Sequence, residues 1–209
     1  MIDSVWTYWT DGGWLLLPIA VVAYAILAYL LRLRFWLQDS IAAAQATEAQ
    51  LDAYLSGKAD RGALLDQLAA SPQWIARQVA DVFGSSTHAE DARRRFENVT
   101  AWQRSMTQRD LFILKALTAA APLLGLLGTV TGMVDTFIAV ARHGAEGAAL
   151  VARGISSALI TTQFGLVAAL PGVFGLLHLG RLRTRLQSAT NAIGTMLYVS
   201  YGNKRGAHA

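Results

Sequence analysis

The chain has 209 residues and a formal charge of +4, with 54% apolar residues and only 15% charged ones, where a soluble domain carries about a quarter. That balance, with long stretches free of charge, excludes an ordinary water-soluble domain and points to lipid. The lack of cysteine excludes disulfides and thiolate metal sites, and the basic excess flanks apolar spans, so it reads as membrane topology and not as a nucleic-acid surface.

The first residues, Met1-Ile2-Asp3-Ser4, lack the basic region of a cleaved signal peptide, so the first span is expected to remain in the protein. Residues 1–11 are assigned to a periplasmic N-terminal segment. Residues 12–31 carry no charge, and twenty helical residues rise about 30 Å, the thickness of the hydrocarbon core. Trp6, Tyr8, Trp9 and Trp14 form an aromatic belt at the outer end, and Arg32, Arg34, Phe35 and Trp36 mark the inner end. Pro18 falls in the first turns, where a helix tolerates it best.

Residues 32–115 hold most of the charge and read as a cytoplasmic helical segment. Gly57, Gly62, Pro72 and Gly84 divide it into three helices. Phe96, Val99, Trp102 and Met106 recur at three and four and form an apolar stripe. Glu90–Arg94 and Asp91–Arg95 are i,i+4 pairs in the favourable order. Arg93, Arg94 and Arg95 read as a solvated helix face or a partner site. No breaker separates Asp91 from Ala121, so the cytoplasmic helix is expected to run straight into the second span.

Residues 116–141 form that span, with Asp135 as its one charge. Residues 142–153 are a periplasmic connection, 154–180 an uncharged third span with His178 near its interface, and 181–209 a cytoplasmic tail. Sixteen of the eighteen Lys and Arg lie in 32–115 or after residue 180, the others being Arg142 and Arg153. The positive-inside rule therefore places both of those segments in the cytoplasm and the N-terminus outside. The fold class is all-α, a three-span integral protein of the bacterial inner membrane whose long helices extend into a cytoplasmic helical domain.

The second and third spans are rich in small and hydroxylated residues. Gly125, Thr129, Gly132 and Thr136 share a face, and Gly128–Gly132 is a GxxxG pair. Ser157, Thr161, Gly165, Ala168 and Gly172 share a face of the third span, with Thr162 beside them. Two accounts are open: close helix packing alone, or packing together with a polar lining that faces a pore or another helix. Ser156, Ser157, Thr161, Thr162 and Gln163 cluster, and an amide in hydrocarbon needs partners or water. Threonine does not titrate, so a proton relay through these spans needs an acid on another chain. No nucleophile elbow, phosphate loop, metal cluster or paired carboxylate is present, and the Ser156–Ser157 pair has no neighbouring His base. An enzyme, a catalytic residue, a metal and a cofactor are accordingly not expected.

Residues 121–137, APLLGLLGTVTGMVDTF, and 154–171, GISSALITTQFGLVAALP, resemble the two signature segments of the MotA/TolQ/ExbB proton channel family, and most closely its ExbB and TolQ branches. Residues 12–36, with Gly12-Gly13, Pro18-Ile19 and Arg32, resemble that group's first span. The resemblance implies a pentamer whose second and third helices line a central pore. It implies a single-span ExbD- or TolR-like partner in that pore, carrying the titrating aspartate, and a TonB- or TolA-like protein that delivers work to the outer membrane. On this analogy Thr129 and Thr162 match the pore threonines. Thr161, Ser157, Gln163 and Asp135 join the proton pathway or pore lining, Asp135 as a vestibule charge. Gly125, Gly128, Gly132, Gly165 and Gly172 pack the helices. Two departures stand out: Ser157 and Leu31 occupy places where the family pattern carries glutamate. The charge-free Ser157 is the support for a non-conducting membrane scaffold as the competing reading.

Overall fold

The computed structural model of the chain describes residues 13–86, 88–143 and 148–206. The belt residues Trp6, Tyr8 and Trp9 and the whole segment 1–11 lie outside these. Five helices follow one another: α1 (Leu16–Leu55), α2 (Arg61–Ala70), α3 (Trp74–Ser85), α4 (Ala89–His143) and α5 (Ala148–Gly206), with no strand among the described residues. Three of them, α1, α4 and α5, are long and apolar enough to cross a membrane. At 55 residues, α4 rises about 80 Å, far beyond a hydrocarbon core of about 30 Å. The charged helix that precedes the second span and the span itself are thus one element, as the lack of a breaker predicts. The flanking helices reach His143 and Ala148, so most of the expected connection over 142–153 is helical.

Contacts divide the chain into two units, residues 1–31 with 110–177, and residues 32–109 with 178–209. In the first unit, Gly13 opens α1 with φ +72°, a conformation that costs glycine nothing. Its carbonyl accepts from the Leu16 N–H at 3.2 Å. Pro18 then sits in the first turn of α1, where its missing donor has no intrahelical partner to lose. Large apolar side chains such as Leu123, Leu127, Val130 and Phe174 are exposed, as expected of helices whose solvent is lipid. Between α4 and α5 the buried positions are mostly small residues, whereas α1 buries Leu16, Ile19 and Ile26. Pro122 and Pro171 lie inside continuous helices.

The second unit has a conventional apolar core. Leu64 and Leu68 of α2 and Ile75, Val79 and Phe83 of α3 are buried at helical spacing. Gly57, φ +73°, ends α1: its N–H bonds the Tyr54 carbonyl and the Lys58 N–H bonds the Ala53 carbonyl, each at 3.0 Å, the Schellman pattern. The Asp60 carboxylate caps α2 by accepting from the Gly62 N–H at 3.0 Å.

The apolar stripe expected on α4 is turned from its predicted position. Phe96 is buried with Ala92, Thr100 and Thr107, whereas Trp102 is 61% exposed. Of the two predicted ion pairs, Asp91–Arg95 forms at 3.5 Å, and the second pair among the described residues is Arg93–Glu97 at 2.7 Å. Both are well exposed and contribute little to stability.

Candidate functional site

The hydroxyl and glycine residues of the second and third spans meet along an antiparallel seam between α4 and α5. A methyl placed on Gly125 would lie 3.1 Å from the Thr161 carbonyl oxygen and from the Thr162 Cα. One on Gly165 would lie 2.8 Å from the Ala121 carbonyl oxygen, and one on Gly132 would lie 2.9 Å from the Ala158 Cβ and the Gly154 carbonyl oxygen. Gly128 faces the Thr161 side chain, Gly172 faces Thr118, and Gly154 faces Thr136. Gly125, Gly132 and Gly165 therefore stand where two backbones touch, and Gly128 and Gly172 make room for threonine side chains of the facing helix. Lipid offers no hydrophobic drive for helix association, so the gain comes from close van der Waals contact, which only small residues permit.

Three seam positions had not been singled out in the sequence: Thr118, Gly154 and Ala158. Gly154 and Ala158 continue the four-residue spacing of small residues on α5, a signal that extending the face by one turn would have found. On α5 the buried line runs through Ala158, Thr161, Gly165, Ala169 and Gly172, so Ala169 replaces the expected Ala168 and Ser157 lies beside the line. On α4 the line runs through Gly125, Gly128, Gly132 and Thr136, with Thr129 beside it.

The hydroxyls fall into two kinds. Thr161 is 1% exposed and donates to the Ala158 carbonyl of its own helix at 2.9 Å. Thr136 likewise donates to Gly132 at 2.8 Å and Thr129 to Leu126 at 2.7 Å. Such back-bonding satisfies a hydroxyl without a partner. Thr162 differs: it donates across the seam to the Gly125 carbonyl at 3.1 Å, the one such bond among the described hydroxyls of these spans. In every case the proton is committed while oxygen lone pairs remain available. Thr129, Thr162 and Ser157 are half-buried, and Gln163 and Asp135 are exposed. Ser157 faces the start of α1, where a methyl on Gly13 would be 3.7 Å from its Oγ. The structure thus brings Thr161, Thr162 and the five glycines together. It leaves Thr129, Gln163 and Asp135 on the open sides of the helix pair.

A family model described as the MotA/TolQ/ExbB proton channel family matches residues 67–192. Among curated relatives, a biopolymer transport protein ExbB of Pseudomonas putida is 44% identical over 61 residues, covering 29% of this chain and 18% of that protein. The ExbB of Salmonella typhimurium is 45% identical over 60 residues, covering 29% of this chain and 25% of its own length. A putative ExbB-like protein of Synechocystis is 37% identical over 92 residues, 43% of this chain and 36% of that protein. The matched stretches thus span between about a fifth and about a third of these relatives. With three membrane-crossing helices, a glycine-paired seam and a family match over more than half its length, the chain is a multi-pass membrane protein that belongs to the MotA/TolQ/ExbB proton channel family.

Proposed function

We propose that this chain is the pore-forming subunit of an inner-membrane motor that uses proton flow to perform mechanical work. In this reading it forms a pentamer around a single-span ExbD- or TolR-like partner and energises TonB-dependent transport across the outer membrane. The observation that carries the reading is the α4–α5 seam with its hydroxyl edge. Glycine contacts hold the two backbones rigidly together, and Thr162 and Thr129 present acceptor oxygens beside the seam. Oxygens of this kind can accept a hydrogen bond from a protonated carboxyl without holding charge, so the titrating acid belongs to the partner. Gln163, Ser157 and Asp135 extend the polar edge, and Thr161 serves packing. The N-terminus lies in the periplasm and the C-terminus in the cytoplasm, on the distribution of Lys and Arg.

A Thr162→Val variant tests this. Co-expressed with a single-span, aspartate-bearing partner, it is expected to assemble normally and lose gradient-driven uptake. Undiminished uptake would remove Thr162 from the pore. A non-conducting scaffold is the second reading, favoured by the uncharged Ser157. Collapse of the membrane potential separates the two, because a scaffold's output would not respond. A Tol-type envelope motor differs only in its client, and constriction defects in place of uptake defects would identify it.

A further inference from the structure

In the second unit, α1, α3, α4 and α5 line a small, partly open pocket whose walls include Trp36, Trp74, Gln103, Arg104, Arg183 and Gln187. Its volume is about 30 Å³, room for one or two oxygen-sized groups. The Arg183 Nε is buried and has no hydrogen-bond partner among the described residues. Neither Arg104 nor Arg183 is ion-paired among the described residues, and no carboxylate lines the pocket. A buried guanidinium edge without an acceptor is costly.

None of the other polar groups of the lining accepts from that Nε. Thr100, Thr107 and Thr190 donate to carbonyls of their own helices. The Trp74 Nε1 donates to Ser40 at 3.3 Å, and an Arg104 nitrogen donates to Asn191 at 2.6 Å. The buried, unpartnered Arg183 edge lies beside the exposed Arg104, two positive charges with no carboxylate between them, which suits an anion.

Its place along the helices narrows the source. The uncharged runs end at Leu31 on α1 and Gly180 on α5, so Trp36 lies about 8 Å and Arg183 about 5 Å of helical rise further on, the depth of a headgroup layer. Tryptophan indoles favour that depth too.

We propose that Arg183 and Arg104 bind the phosphate of a membrane phospholipid. The pocket admits one or two phosphate oxygens and leaves the rest of the ligand outside, which suits a headgroup anchored in the bilayer. Free phosphate shares the chemistry, and the test separates the two. The inference rests on the membrane spans and not on proton handling.

The full chain, purified in maltoside detergent and freed of bound lipid, is titrated with dioleoylphosphatidylglycerol and followed by native mass spectrometry. Arg183→Gln and Arg104→Gln are expected to weaken binding at least about tenfold, the loss of one charge-assisted bond. Arg94→Gln, an equal charge change on an exposed face, leaves it unchanged. Dioleoylglycerol, with the same tails and no phosphate, binds weakly and equally to all variants. Arg183→Lys keeps the charge, loses the Nε donor and gives an intermediate affinity, a readout available even if the Gln variant does not fold. Equal lipid binding by the Arg183 and Arg94 variants overturns the site. Competition by inorganic phosphate at the lipid's own concentration overturns the lipid as its source.

Discussion

Tyr201 shows how one side chain ties down a helix end. Its single hydroxyl proton is shared between the carbonyls of Phe83 at 2.9 Å and Ser86 at 3.1 Å, and the Arg61 guanidinium donates to the same Phe83 carbonyl at 2.9 Å. Those carbonyls belong to the last turn of α3, which has no intrahelical donors and carries the negative end of the helix dipole. Arg61 also stacks 4.9 Å from the centre of the Phe83 ring. Burial pushes the Tyr201 phenol above its ordinary value, with Arg61 acting in the opposite sense. A raised folded value means the tyrosine's contribution is complete below about pH 10 and is lost as pH climbs beyond it. Tyr201→Phe is expected to lose about 1–2 kcal/mol and to flatten that alkaline decline, read by thermal unfolding in detergent across pH 8 to 12. Asp135 lies exposed on α4, flanking the buried line and not within it, so Asp135→Asn is expected to retain much of the gradient-driven uptake. Complete loss would make Asp135 the relay.

At the scale of elements, α4 and α5 depend on having no side chains where they touch. Alanine normally improves a helix over glycine by up to about 1 kcal/mol. At Gly165 the added atom meets the Ala121 carbonyl at 2.8 Å, and backbone cannot swing aside, so overpacking of about 1–3 kcal/mol wins. Gly165→Leu is expected to abolish stable assembly, while Gly180→Ala, with nothing within 4 Å, is neutral or mildly stabilising. Gel filtration of both variants from one detergent checks this, and a normally assembled Gly165→Leu would remove the seam as the source of association between the helices.

For the whole molecule, the governing fact is that two solvents act on the same helices. Along α5 the uncharged stretch to Leu177 gives way to Arg181, Arg183 and Arg185, and a single helix carries both. The natural absence of cysteine makes orientation directly testable. Ser4→Cys is expected to react with an impermeant maleimide in intact cells. Ser188→Cys, exposed on α5, is expected to react only after permeabilisation. The opposite pattern would invert the topology.

The helical class, the three spans and the family were legible in the chain itself, because charge-free runs of about 20 residues and small-residue spacing are local properties. The residues that carry the seam were legible only to within one position. Spacings of three and four place Ser157 or Ala158, and Ala168 or Ala169, on adjacent faces, and the choice falls to whichever face meets the neighbouring helix. The same ambiguity turned the expected Phe96–Met106 stripe so that Trp102 is exposed. Capping of α3 by Tyr201, the cross-helix bond of Thr162 and the unpartnered Arg183 depend on residues brought together from distant points of the sequence. No periodicity encodes such meetings, and tertiary packing alone decided them.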